Sequence, residues 1–261
     1  MATQDINTPT QPETETIHPV QKVEVLSTPD GLTLKGNLVT FSFSSDAALI
    51  LHGAAAKGDP LPNLERVQQI FARNGISSLA IRLRGVGEGG EKSEGDYYDT
   101  LIKRVDDGMS SMAFLKRRTH AARLHLIGES MNGEVAALMA KELGDTLDNL
   151  VLVAPAAYPA GAEQIPFGPA FSEIIRNPDK DLTTSPAFEA AEKYNGFVIV
   201  VYNDQDPVID TVVQDTYRKR AMQNGRVLTV EGVGHELLSN TSNPNIADMY
   251  KQVAELIKQK S

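Results

Sequence analysis

Leu124-His125-Leu126-Ile127-Gly128-Glu129-Ser130-Met131-Asn132-Gly133 reads as a buried strand that runs into a sharp turn and opens a helix. The apolar run ends at Gly128, and helical spacing takes over from Val135 to Leu143. A serine at such a junction has two readings. One is a helix N-cap, a position that serine favours. The other is a nucleophile on a strained turn, which lifts the hydroxyl above the sheet edge and aims the next backbone N–H at a reacting carbonyl. Gly128 lets strand and helix approach closely on one side. On the other side the pattern G-x-S-x-G is broken, because Asn132 replaces the glycine and Gly133 follows it. Asparagine tolerates unusual backbone angles better than most residues. The serine needs partners before the second reading can be preferred.

Outward from this stretch the chain alternates strands and helices. Val20 to Phe43 alternates apolar and polar residues around Pro29-Asp30-Gly31, as a β-hairpin does. Ala47–Leu51 is wholly apolar, which fits a strand covered on both faces. Leu64, Val67, Ile70 and Phe71 then recur at helical spacing, with Asn74-Gly75 as the stop. Further strands are expected at Ile76–Leu83, Leu150–Val153, Phe197–Val201 and Val227–Val230, and helices at Tyr97–Lys116, Val212–Met222 and Ile246–Lys258. From Pro155 to Asn195 the rhythm breaks around six prolines, over a length too great for a plain βα loop. This segment is read as a short, mostly helical or irregular cap. Residues 1–19 are rich in Thr, Pro, Gln and Glu and are expected to be a flexible tail. The expected fold class is therefore α/β: one domain over 20–261, with a mostly parallel sheet, an N-terminal antiparallel hairpin, helices on both faces and a cap at about 155–195.

Of five histidines, His18 falls in the expected tail, His120 in a polar helix end, and His125 inside a strand. His235 lies in Gly232-Val233-Gly234-His235, a glycine-bearing loop just after the last expected strand. A histidine at the carboxyl end of an open α/β sheet faces the crevice where such folds bind ligands. The acid lies in Asn203-Asp204-Gln205-Asp206-Pro207-Val208, also past a strand end. Two carboxylates compete there. Asp206, ahead of Pro207 and Val208, is the better match, and Asp204, nearer the strand, reads as structural. Ser130, Asp206 and His235 each follow a separate strand, in the order Ser, Asp, His. Such an acid would fix the imidazole tautomer and stabilise the imidazolium.

Leu49-Ile50-Leu51-His52-Gly53-Ala54 places a His-Gly pair after the first parallel strand. His52 reads as a structural residue that turns the N–H of Ala54 toward the site, so that Ala54 and Met131 supply the two backbone donors of an oxyanion hole. With His52-Gly53, Arg84-Gly85-Val86-Gly87-Glu88, Gly128-Glu129-Ser130-Met131, Asp206-Pro207-Val208 and Gly234-His235 all in view, the chain from about residue 20 onward resembles the α/β hydrolases. Within them it is most similar to small esterase and acylglycerol-lipase-like enzymes, including cinnamoyl-type esterases. The resemblance implies a Ser130–His235–Asp206 triad that cleaves a small-molecule ester through an acyl-enzyme, with no metal or organic cofactor. A thioesterase, a peptidase, a perhydrolase and a non-catalytic ligand-binding member are the alternatives. Two further departures are Arg82, where the family commonly has Asp, and Gly89, where a serine is frequent. Arg82 and Arg84 read as structural or solvated, with an anionic-substrate clamp as the other possibility.

Composition narrows the classes further. A formal net charge of −9 over 261 residues opposes a nucleic-acid surface and binding to anionic membranes. The absence of cysteine removes disulfides, a thiolate nucleophile and thiolate metal ligands. The first residues lack the basic and apolar regions of a secretory signal, and no apolar run approaches the length of a membrane span. The expected location is the cytoplasm.

Overall fold

A computed structural model describes residues 16–26, 30–42, 44–53, 59–85, 99–235 and 241–259. Its strands are β1 (Gln21–Leu26), β2 (Thr33–Val39), β3 (Asp46–Leu51), β4 (Ile76–Ile81), β5 (Arg123–Glu129), β6 (Asn149–Val153), β7 (Phe197–Asn203) and β8 (Gly225–Val230). Its α-helices are α1 (Leu61–Arg73), α2 (Leu101–Thr119), α3 (Met131–Leu143), α4 (Pro169–Arg176), α5 (Pro186–Lys193), α6 (Thr211–Gln223) and α7 (Pro244–Gln259). The strands form one sheet in the order β1-β2-β4-β3-β5-β6-β7-β8. β1 pairs antiparallel with β2, and β2 with β4; every other pairing is parallel. This is the expected α/β architecture.

The apolar strand runs follow from burial on both faces. In β3, Ala47, Leu49 and Leu51 join one core while Ala48 and Ile50 join the other. β7 divides likewise, with Val198, Val200 and Tyr202 on one side and Ile199 and Val201 on the other. Side chains alternate along a strand, so a strand covered twice shows no polar period. Helices α2, α3, α5 and α6 contribute to the first core, and α1 and α7 to the second. The β6–β7 segment is not all insertion. Its last helix, α5, packs against α3 and α6 and so serves as the crossover helix that two parallel strands require. Arg220 of α6 fastens that helix by donating to the carbonyls of Ala191 and Tyr194, at the end where the carbonyls are left over.

The hairpin turn falls partly outside the described residues, but Gly31 takes a φ of 73° and the Asp30 carboxylate accepts the Leu32 N–H. Pairing starts upstream of the expected boundary at residue 20. Ile17 bridges to Phe41, and the His18 N–H donates to the Thr40 carbonyl at 2.9 Å. Residues 1–15, and with them most of the expected tail, lie outside the described residues, as does the glycine-rich stretch 86–98.

At the amino ends of β3 and β5 a charge cluster around one buried carboxylate replaces apolar packing. The fully buried Asp46 accepts from Nε2 of His125 at 3.0 Å, from Arg123 at 2.6 Å and from Lys258 at 2.9 Å. Asn149 donates to the other ring nitrogen of His125. Burial pushes the Asp46 carboxyl up, but the three donors outweigh it and hold the group well below the usual carboxylate range. Its contribution to stability is therefore present above the ordinary carboxylate pKa and is lost as the pH falls toward the depressed folded value. Asp46→Ala leaves His125 and two cations uncompensated, and a stability loss of about 3–5 kcal/mol is expected in urea unfolding at neutral pH. The gap to wild type should narrow as the pH is lowered; a gap that stays constant into acid would contradict the charged role.

Candidate active site

Ser130 joins β5 to α3 with φ 51° and ψ −122°. A non-glycine residue in that region is strained by about 1–3 kcal/mol and persists only where its surroundings hold it. They hold it from both sides. The Ser130 N–H donates to the Val153 carbonyl at 2.9 Å, and its carbonyl accepts from Gly133 at 2.8 Å and Ala156 at 2.9 Å. The turn also depends on two missing side chains. A Cβ on Gly128 would lie 2.3 Å from the Asn132 carbonyl oxygen and 2.5 Å from the Ala136 methyl, and one on Gly133 would lie 2.6 Å from Pro155. The second small residue thus stands at 133, one place later than the usual motif. Asn132 is not among the described residues with positive φ, so it sits in ordinary helical backbone. Its side chain is buried and donates to the His52 carbonyl, tying α3 to the end of β3. Asparagine serves here as a tie between loops rather than as a residue tolerant of unusual angles.

Ser130 occupies the N-cap position of α3, yet its side chain makes no capping bond. The hydroxyl lies 2.8 Å from Nε2 of His235. Nδ1 of the same ring lies 2.8 Å from Oδ2 of Asp206. Asp206 also accepts the N–H groups of Val208 at 2.8 Å and Ile209 at 3.2 Å through its other oxygen. Burial raises the Asp206 carboxyl, but the His235 ring and the two N–H groups more than offset it and hold the group below its ordinary value. Asp206 is therefore ionised near neutrality, which fits an Nδ1–H tautomer with Nε2 free to accept from serine.

The neighbouring carboxylate has a different task. Asp204 accepts the N–H groups of Gly232 at 2.8 Å and Val233 at 3.4 Å, and Asn203 donates to the Gly234 carbonyl. Together they shape the loop that presents His235. The two aspartates of one short loop thus divide into one that meets the imidazole and one that braces its backbone.

His52 is buried; its Nδ1 lies 2.6 Å from the Gly53 carbonyl, and its Nε2 accepts the Leu83 N–H at 3.3 Å. Burial pushes its pKa down to about 4, so the ring is neutral. The Gly53 N–H donates to Glu129, the residue before the serine. Ala54 lies outside the described residues. Met131 begins α3, where backbone N–H groups have no partner within the helix. Its thioether is braced by Arg104, whose guanidinium pairs with Asp99 and lies 4.6 Å from the Phe167 ring centroid. Arg82 is paired with Asp59, and Arg84 with both Asp30 and Asp107. Both arginines are thus committed to structure, which removes the clamp reading.

A cavity of about 370 Å³ opens on Ser130 between the β6–β7 segment and residues 207–213. Of the aromatics in that segment, Tyr158 lines it. Phe171 stacks edge-on with Tyr158 and Phe167, and Phe188 with Tyr217 of α6. The segment is anchored from below by Glu134 of α3, which accepts the Tyr158 N–H at 2.6 Å and the Ser185 hydroxyl at 3.3 Å. Nothing in the spacing of the sequence marks Glu134, because its partners lie 24 and 51 residues away. Among the described residues no cluster of His, Cys, Asp and Glu could hold a metal ion, and no helix is long and apolar enough to cross a membrane.

An eight-stranded, mostly parallel sheet with a strained serine at the carboxyl end of its central strand defines an α/β hydrolase. The family model described as serine aminopeptidase, S33, matches residues 45–178, just over half of the chain, and the protein belongs to that family of α/β hydrolases. No curated protein matches the chain. Among solved structures it is similar to Est1E from Butyrivibrio proteoclasticus with ferulic acid bound, at 21% identity and a TM-score of 0.65, over 89% of this chain and 99% of that one. It is similar to the Pyrococcus furiosus esterase Pf2001, at 18% identity and a TM-score of 0.67, over 92% of each chain. The α/β hydrolase GrgF from Penicillium aligns at 16% identity and a TM-score of 0.69, over 93% of this chain and 99% of that one. At these identities the likeness concerns the fold.

Burial dominates Glu134, and although the Tyr158 N–H and Ser185 hydroxyl oppose it, its pKa is pushed up to about 8. Folding favours the protonated form, so this group's stability is full below the ordinary value of 4.5 and declines as the pH rises toward about 8. Glu134→Gln removes the titration. Its urea midpoint should gain on wild type steadily between those two pH values. A difference that does not change with pH would contradict a neutral, buried carboxyl.

Proposed function

We propose that this protein is a serine hydrolase that cleaves a carboxylic ester of a small or medium acyl substrate. The observation that carries the reading is the unbroken row from Ser130 Oγ through the His235 ring to Asp206, 2.8 Å at each contact, opening on a cavity. In the first step His235 Nε2 takes the hydroxyl proton as Ser130 Oγ bonds to the ester carbonyl carbon. The carbonyl π pair moves onto oxygen, where the N–H groups of Met131 and Ala54 receive it. The pair returns, the bond to the alcohol oxygen breaks, and His235 delivers its proton to the departing alcohol. Water then repeats the sequence on the acyl-enzyme, with His235 as base and Ser130 as leaving group. Asp206 stays ionised throughout and stabilises the imidazolium. Neither a metal nor an organic cofactor enters these steps.

Residues 155–185 act in this reading as a cap over the site, with α5 behind them as part of the main domain. An ester is favoured over a peptide by the esterase Pf2001 and the ferulic acid of Est1E among similar structures; the family description favours a peptidase. A panel of p-nitrophenyl esters, acyl-CoA thioesters and aminoacyl amides separates these, and uniform inactivity with tight small-molecule binding would point to a receptor instead.

Labelling by a fluorophosphonate probe tests the nucleophile: wild type should label and Ser130→Ala should not. Equal labelling of the two would end the proposal. The two aspartates give a second test. Asp206→Asn should lower kcat by about 10⁴-fold, because the amide favours the wrong tautomer. Asp204→Asn, which keeps an acceptor for Gly232, should cost far less. The reverse order would reassign the acid.

A further inference from the structure

The cavity on Ser130 has a wall of mixed chemistry. Ile175, Leu182, Val208 and Val213 make it apolar, while Arg176 and Lys180 add two cations. Arg176 ends α4, and Lys180 lies in the turn that follows. Neither side chain forms an ion pair or hydrogen bond among the described residues. Arg82, Arg84, Arg104 and Arg123 each have a carboxylate partner; what separates Arg176 and Lys180 from exposed arginines such as Arg66 and Arg73 is their place in the cavity wall. The C-terminal dipole of α4 favours a cation at 176, but it does not explain Lys180, which is outside the helix. The one carboxylate in the cavity wall, Asp210, is engaged in capping α6 through the Val212 N–H. In a chain with a formal net charge of −9, the cavity wall sets two uncommitted cations against one carboxylate beside the serine.

We propose that Arg176 and Lys180 form an anion subsite, and that the substrate is an ester bearing a carboxylate separated from the scissile bond by an apolar spacer. The proposal rests on the acyl-transfer reading above for the position of the scissile bond. The apolar wall takes the spacer, and the cations take the carboxylate, by charge-assisted hydrogen bonds that are stronger than neutral ones. The same two cations would repel the free ammonium of an aminoacyl substrate, so the subsite also selects against that class.

The test is a charge series at constant length: 4-nitrophenyl esters of octanoic acid, of suberic acid as its monoester, and of 7-(trimethylammonio)heptanoic acid. A parallel arm places the carboxylate on the other side, as butyrate esters of 4-hydroxybenzoic acid and of phenol. In one arm wild type should prefer the anionic ester by about tenfold in kcat/KM, the scale of one charged hydrogen bond. In Arg176→Glu with Lys180→Glu the order should invert, the cationic ester overtaking the anionic one. Arg176 is exposed and Lys180 half-buried, and unchanged labelling of Ser130 by the fluorophosphonate probe confirms that the double variant is folded. A charge order that is the same in variant and wild type would overturn the subsite, as would the absence of any charge preference in both arms. If no ester is turned over at all, the acyl-transfer reading fails, and binding decides the subsite separately. Calorimetric titration of Ser130→Ala with monomethyl suberate should then show binding that weakens at high salt and disappears in Arg176→Gln with Lys180→Gln. Absent or unaltered binding would overturn the subsite by itself.

Discussion

The site depends on one strained residue, Ser130, held at positive φ by three backbone hydrogen bonds. The strain has no local origin in the serine itself; it is imposed by β6 and by the chain beyond it. Val153, at the end of β6, accepts the Ser130 N–H, and Ala156 returns a bond to the Ser130 carbonyl. Between them Ala154 takes its own positive φ of 41° and bonds to Val201 of β7. Two residues at positive φ thus stand just past the ends of adjacent strands, and the parallel register of β5, β6 and β7 connects both to the loop that carries Asp206. Packing against Gly128 and Gly133 closes the turn from the helix side. Strain of this kind needs an over-determined surrounding, and the centre of a doubly covered sheet supplies one.

An aspartate–histidine pair stands at each end of the sheet. At the amino ends of the strands Asp46 gathers His125, Arg123 and Lys258 into a cluster whose donors all point at one carboxylate. At the carboxyl ends the ionised Asp206 faces a single ring, and Asp204 is turned away to the backbone of the His235 loop. The distinction is one of geometry rather than residue type. Both ends hold an Asp–His pair at about the same distance, 3.0 Å and 2.8 Å. His125 has its second nitrogen occupied by Asn149 and no exposure, whereas the second nitrogen of His235 faces a hydroxyl beside a cavity. Only the second arrangement can pass a proton to a bound molecule.

The strand alternation and the order Ser130, Asp206, His235 could be read from the sequence because each rests on local pattern: apolar runs, turn residues and loop glycines. The division of labour between Asp204 and Asp206 was half visible, since proximity to the strand end and the Pro207-Val208 context hinted at it, but the bonds to Gly232 and Val233 span 28 and 29 residues. Asn132 stands out in the sequence as a departure, but its role does not: backbone tolerance is a local property, while its tie to His52 crosses 80 residues. The pairings of Arg82, Arg84 and Arg104 were equally out of reach. A run of prolines signals a break in rhythm, yet it could not show that α5, within the same segment, returns to the helix layer beside α3.

Ser130 should carry the acyl group during turnover, and this can be seen directly. Acid-quenching the protein while it hydrolyses a slowly deacylated aromatic ester, followed by peptide mass spectrometry, should find the acyl mass on the peptide that contains Ser130. It should be absent from Ser130→Ala under the same conditions. Turnover that proceeds with the acyl mass on another residue, or that survives in Ser130→Ala, would contradict the nucleophilic serine on which the rest of the site has been built.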